Sequence, residues 1–311
     1  MDRVSVGGRQ GAKWALVGAL VPALSLAQQN PGVSARPSGQ TLEGPAAEEQ
    51  LIDLSRPERQ QTSLTPTTAE SEFFEAAMRG EAWAQTKLGK IYMAAADDPE
   101  RQQRGVELLR QAAGQNDAEA FYVLASLSAA GFGVEPSNVE AFEQMKRAAE
   151  LGFTDAQFAL GTMYFEGQGT TRNETAAVEA FRRAADGGHR EAMFAAGRIL
   201  LSKTDPEMRA EGLAMMNRAI DNGHIEATLM LATAYGRGSM GMPKDEKKAE
   251  ALLKPAAERG NADCQMALAS LYQFGDAFAA RRDEAQVWLQ RAADQGQPKA
   301  REILSSESEE R

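Results

Sequence analysis

From residue 71 onward, small and apolar side chains return in a fixed order with a period near 36 residues. The pair Ala76-Ala77 recurs as Ala112-Ala113, Ala148-Ala149, Ala184-Ala185, Ala256-Ala257 and Ala292-Ala293, with Ala219-Ile220 in the remaining place. Successive spacings are 36, 36, 36, 35, 37 and 36 residues. Seven positions before the pair stand Gly105, Ala141, Ala177, Gly212, Ala249 and Ala285; three before it stand Leu109, Met145, Phe181, Met216, Leu253 and Leu289. Positions −7, −3 and 0 share one face of a helix, so each unit has a helix with a small-large-small stripe suited to close packing. Four residues after the first alanine comes Gly80, Asn116, Gly152, Gly188, Gly223, Gly260 or Gly296, residue types that accept the left-handed backbone closing a helix.

A second helix pattern precedes the first within each unit. It carries Leu88-Gly89, Leu124-Ala125, Leu160-Gly161, Ala196-Gly197, Leu231-Ala232 and Leu268-Ala269. Three residues later come Tyr92, Ser128, Tyr164, Leu200, Tyr235 and Tyr272, so four of the five tyrosines share one slot. Between the two helices, Gly131 with Gly133 and Gly167 with Gly169 mark a tight turn, Gly236 and Gly238 mark a variant of it, and the first and fourth repeats lack these glycines. The periodicity predicts an all-α chain of repeated helix–turn–helix units over residues 71–303, about six of them plus a half-unit at 71–80 and a fragment after Gly296. A polar tail occupies 304–311.

These residues resemble the Sel-1-like repeat, a tetratricopeptide-related family with units of the approximate form A-x-x-x-L-G-x-x-Y, then G-x-G-V, then K-A-x-x-W-Y-x-K-A-A-x-x-G. The nearest matches are residues 156–188 and 120–152. Departures are Ser128, Leu200 and Ala196 at Tyr or Leu positions, the missing turn glycines, and Pro255 inside a second helix, which is expected to kink or loosen it. The resemblance implies an α-solenoid of about six antiparallel helix pairs whose repeats contact their nearest neighbours and whose end fragments cap the stack, a binding role, and no catalytic centre common to the family. Some disulfide-rich members are associated with β-lactam binding or hydrolysis, but they carry paired cysteines in each repeat, whereas this chain has one cysteine in total.

Composition agrees with helices: 56 alanines stand against 17 valines and isoleucines together. The charge of −10 and the absence of a basic run remove the electrostatic footprint of a nucleic-acid binder. At the N-terminus, Arg3, Arg9 and Lys13 precede an apolar stretch at 14–27 that ends Ser25-Leu26-Ala27, the form of an export signal cleaved after Ala27. Its 14 residues fall short of the roughly 20 a bilayer span needs, so an uncleaved anchor is the second reading and the mature chain has no integral span. Cleavage takes the formal charge from −10 to −12 and places the protein in the periplasm or outside the cell. Residues 28–70 hold five prolines among Gln, Ser, Thr, Gly and Glu, a composition typical of a disordered linker.

Candidate chemistry is sparse. Cys264 occupies the slot of Ala84, Ala120, Ala156, Ala192 and Ala227, so packing explains it better than nucleophilic catalysis. His189 and His224 each follow a closing glycine, an incomplete set for a metal. Glu119, Asp155, Glu191, Glu226 and Asp263 recur five before the Leu slot, where the first turn of a helix favours a carboxylate; an acidic stripe facing a basic ligand is the alternative. Neither a catalytic residue nor a cofactor or metal is expected. By analogy with tetratricopeptide repeats, the slot two before the Leu faces the concave groove. Tyr122, Phe158 and Phe194 fill it in three successive units, with Phe165, Arg198 and Lys90 at the margins. These rings either line a protein-binding face or fill the inter-repeat core. The expected function is a non-catalytic scaffold that receives a protein or peptide segment of the cell envelope.

Overall fold

The computed structural model describes residues 68–95 and 98–309, so the leader-like stretch and the proline-rich stretch up to residue 67 lie outside the described residues. Among the described residues there are fourteen α-helices and one 3-10 helix, and no strand. In chain order they are α1 (Thr68–Met78), α2 (Ala82–Met93), α3 (Pro99–Gly114), α4 (Ala118–Ala130), α5 (Asn138–Glu150), α6 (Thr154–Glu166) and α7 (Glu174–Asp186). There follow α8 (Arg190–Leu201), α9 (Pro206–Asp221), α10 (Ile225–Arg237), α11 (Glu246–Glu258), α12 (Ala262–Phe274), the 3-10 helix Asp276–Arg281, α13 (Arg282–Asp294) and α14 (Pro298–Glu309). The six pairs from α2–α3 to α12–α13 are the repeats, and α1 is a second helix without a described first helix before it. Contacts divide the chain into two compact units, with the boundary after Gln144, inside α5.

Three pairs show a knob in a notch. The large side chain three before the alanine pair is at most 3% exposed in Leu109, Met145, Phe181, Met216, Leu253 and Leu289. In the pairs α2–α3, α6–α7 and α8–α9 its seat is the glycine after the Leu slot of the first helix: Gly89, Gly161 and Gly197. A methyl group at Gly161 would come within 2.6 Å of the Phe181 ring, and one at Gly197 within 2.7 Å of Met216. Phe73, the same knob in α1, is only half-buried. The tyrosine slot is buried in Tyr92, Tyr235 and Tyr272 and stays buried where Ser128 or Leu200 replaces the ring.

One short device joins each unit to the next. The residue four after the first alanine has positive φ at all seven positions, from 63° at Asn116 to 94° at Gly260. The chain then turns back so that the next N–H donates to the first alanine's carbonyl, as from His189 to Ala184 (2.9 Å) and from Asn261 to Ala256 (3.0 Å). That same next residue is the N-cap of the following first helix. The side chains of Asp117, His189, His224 and Asn261 accept from the backbone N–H three residues on. The second alanine's carbonyl finds its own donor in Gln157 (to Ala149, 3.3 Å) and in Gln265 (to Ala257, 3.0 Å).

The repeats without turn glycines start their second helix differently. Asp98-Pro99 and Asp205-Pro206 place an N-cap carboxylate before a first-turn proline, and α3 and α9 run 16 residues where α7 and α11 run 13. In the fifth unit the turn glycines are Gly238 and Gly241, with φ of 65° and 66°, whereas Gly236 is inside α10. Pro255 does not interrupt α11, which continues to Glu258. Pro255 and Ala251 are both exposed, so the carbonyl left without its helical donor faces water. Helix α14 continues to Glu309, into the polar stretch after residue 303, because neither Gly nor Pro stops it.

The left-handed device can be tested at Gly188, where φ is 88° and an added Cβ would meet nothing within 4 Å. Backbone conformation is therefore the only obstacle to a side chain there. Gly188→Ala is expected to cost about 1–2 kcal/mol in urea unfolding, and Gly188→Asn roughly half as much. Equal losses for the two variants would remove φ as the constraint.

Candidate functional site

The surface built by the first helices carries the side chains of interest, and their positions follow from the cap device. The slot two before the Leu lies beside the N-cap of the next unit. In the unit of residues 145–309, Phe158 of α6 stacks on His189 with ring centroids 4.3 Å apart and 19° between planes. Phe158 also meets Phe181 at 5.6 Å. Phe194 of α8 stacks on His224 at 4.4 Å and 25°. Phe158 and Phe194 are half-buried, as are Leu229 and Met266 in the same slot.

The marginal residues differ in how far they are engaged. Arg198 is exposed, its guanidinium carbon lies 6.0 Å from the Phe194 ring, and it makes no ion pair among the described residues. Phe165 is half-buried, with Arg172 5.1 Å from its ring. The other compact unit holds Tyr122 and Lys90. Tyr122 is half-buried against the core of Leu109, Val123 and Leu124. Lys90 and Lys87 grip Glu119 at 2.6 and 2.7 Å. Burial raises the Glu119 carboxyl, but the lysine hydrogen bonds outweigh it and hold the group below its ordinary value. Four of the six residues, Phe158, Phe165, Phe194 and Arg198, thus share one unit.

The acidic slot behaves as helix chemistry predicts. Glu119, Asp155, Glu191, Glu226 and Asp263 each stand in the first turn of their helix. In the 145–309 unit all four of these carboxylate residues are exposed. Cys264 is fully buried, and burial, reinforced by Asp263, pushes its thiol up to about 11, which keeps it protonated at neutral pH. Among the described residues no three His, Cys, Asp or Glu side chains gather as metal ligands would. No described helix is long and apolar enough to cross a membrane.

Two groups escaped sequence reasoning. Phe274, at the last position of α12, is 76% exposed, and nothing in the repeat pattern marks that position as special. Arg281 ends the 3-10 helix that links the last pair: it binds Glu250 (2.6 Å), Glu284 (2.7 Å) and the Tyr272 hydroxyl (2.7 Å), and lies 4.1 Å from the Tyr272 ring. Tyr272 in turn donates to Glu250 (2.6 Å). These partners are 22 to 31 residues from Glu250 in sequence, a distance no local motif spans.

Comparison with known proteins agrees with the repeat pattern. The Sel1 repeat family model matches residues 84–117, 118–153, 154–189, 225–261 and 262–297, more than half of the chain. It passes over 190–224, the helices α8 and α9, which carry Ala196 and Leu200 in the Leu and Tyr slots. The crystal structure of a Sel1 repeat protein from Oxalobacter formigenes aligns with a TM-score of 0.61 and 26% identity, covering 77% of this chain and 69% of that one. The structure of c5321, a protective antigen present in uropathogenic Escherichia coli strains and displaying an SLR fold, aligns with a TM-score of 0.60 and 24% identity. That alignment covers 74% of this chain and 50% of c5321, so this chain spans half of its length. Comparison with curated proteins gives no match.

Because the Phe158 ring bridges two repeats and is half-buried, its loss should be felt in stability. Phe158→Ala is expected to lower unfolding free energy by about 2 kcal/mol, below the roughly 3–5 kcal/mol of a fully buried ring. Urea unfolding with an unchanged m-value is the measurement; a change under about 0.5 kcal/mol would mean the stacking contributes nothing.

Proposed function

The chain belongs to the Sel1 repeat family, and from that premise we propose that it is an exported, non-catalytic scaffold that binds a protein or peptide segment of the cell envelope. Sel1 repeat proteins generally mediate protein–protein interaction. The observation that carries the reading is the pairing of a half-buried ring with an exposed cation on one first helix, Phe194 beside Arg198, which makes no ion pair among the described residues, with Phe158 and Phe165 half-buried on the first helix of the repeat before it. Aromatic rings and arginine supply most of the strong contacts at protein interfaces, because they bring large area and directional hydrogen bonds at modest entropic loss. The face is repeated along the chain, which suits an extended segment. Tyr122 and Lys90 occupy corresponding slots in the other compact unit, where Lys90 is committed to Glu119. Export rests on the basic start, the apolar stretch and the small residues before Gln28.

Affinity capture from an envelope fraction on the mature chain, residues 28–311, tests the binding face. Arg198→Glu is the variant of choice because Arg198 is exposed and makes no ion pair, so melting should stay within about 1 °C of wild type. A partner held by the wild type and weakened at least about tenfold by Arg198→Glu is the expected result. Equal retention by both, or no partner for either, would displace the site from this face. Export is checked by the mass of the protein recovered from a host that secretes it: the chain should begin at Gln28, and a chain retaining Met1 would replace the cleaved leader with an anchor.

A further inference from the structure

Two successive first helices, α8 and α10, are capped by histidines rather than by Asp or Asn. The Ala192 N–H donates to Nδ1 of His189 (3.2 Å), and the Ala227 N–H donates to Nδ1 of His224 (3.1 Å). A ring nitrogen that accepts a hydrogen bond is unprotonated, so each cap requires the neutral imidazole with its proton on Nε2. Each ring is also stacked on an aromatic side chain of the preceding repeat, Phe158 at 4.3 Å and Phe194 at 4.4 Å. One side chain therefore both starts a helix and seals the junction with the repeat before it. The same slot holds Asp117 and Asn261 in other repeats, which cap without a need to stay neutral in this pH range.

We infer that His189 and His224 make the junctions of α6 with α8 and of α8 with α10 acid-labile, so that this part of the array loosens as pH falls from 7 toward 5 while the Asp- and Asn-capped junctions hold. Protonation puts a hydrogen on Nδ1 where the cap needs a lone pair, and it adds a positive charge at a helix N-terminus, the unfavourable end of the dipole. The ring must then turn away from the backbone or lose its stacking partner. Two consecutive junctions respond to the same change.

The surrounding charges do not reverse the direction. His189 faces Asp155 of α6, 3.8 Å from Nε2, and Glu191 and Arg190 of α8, with Glu191 3.6 Å from Nδ1. His224 faces Glu191 and Arg190 of α8 and Glu226 of α10. The carboxylates favour the imidazolium and Arg190 opposes it, but burial outweighs them, and both rings are held below the ordinary imidazole value. The His189 side chain is 16% exposed. The sign follows from linkage: with the folded value below the unfolded one, the contribution to stability is full above about pH 6.5 and is lost as pH falls below it toward the folded value.

The test uses the full chain and a His189→Asn, His224→Asn double variant, since Asn261 shows that asparagine caps this slot. Thermal unfolding of the wild type is expected to fall more steeply between pH 7.5 and 5 than that of the variant, whatever their difference at pH 7.5. Hydrogen exchange should report the same event locally. After correction for intrinsic rates, the Ala192 and Ala227 amides should exchange about tenfold faster at pH 5.5 than at 7.5, and that of Cys264 should not change. Should the double variant fail to fold, NMR titration of the two imidazoles in the wild type decides alone. Nε2–H tautomers titrating below about 6.5 support the inference. Parallel melting curves, or rings that titrate at or above about 6.5, overturn it.

Discussion

The array depends on a six-residue junction that ends one helix and starts the next. A helix leaves its last carbonyls and the next helix its first N–H groups without partners, and burying them unpaired between repeats would be costly. Here the first alanine's carbonyl receives the backbone N–H of the residue five further on, and in most units that residue's side chain accepts one of the free N–H groups in the first turn of the following helix, the one three residues on. The left-handed residue between them makes the reversal possible, and this is why six glycines and one asparagine hold that place. Because both ends are satisfied by neighbours in sequence, each junction has the same geometry whatever the rest of the repeat contains.

With the junction fixed, packing reduces to filling one notch per unit. The small residue beside the Leu slot lets the two helices approach, and the knob of the second helix fills the gap, whether it is Leu109, Phe181 or Met216. This tolerance accounts for the repeat at 190–224, which the family model passes over and which nevertheless forms a regular pair. Where turn glycines are absent, an Asp-Pro start lengthens the second helix instead, and the Arg281 cluster serves the last pair. The loops between paired helices therefore vary, while the junctions between repeats keep one backbone reversal and differ only in the side chain that caps it.

The proposed binding face falls on what the junctions leave over. The slot beside each N-cap receives Phe158 and Phe194, and their rings are shared between contact with the next repeat and the first-helix surface. In the other compact unit Lys87 and Lys90 are committed to Glu119, which leaves little free charge there for a ligand. Arg198 is exposed and makes no ion pair among the described residues. The histidines add a different property, since a cap made from a titratable ring ties the integrity of two junctions to its protonation state.

Much of the fold was legible before any coordinates. The alanine-pair period, the left-handed closers and the small-large-small stripe are local patterns, and backbone sterics together with helix periodicity translate them directly into helix ends and buried faces. Cys264 in an alanine slot was readable as packing for the same reason. The tertiary structure alone decided what each surface side chain meets: that Phe158 and Phe194 stack on histidines one repeat away, that Lys90 is occupied, that Pro255 leaves its helix unbroken, and that Arg281 ties Glu250 to Tyr272. Most of those contacts join residues about thirty positions apart, and their geometry depends on how packed helices present their side chains, which periodicity along one chain does not encode.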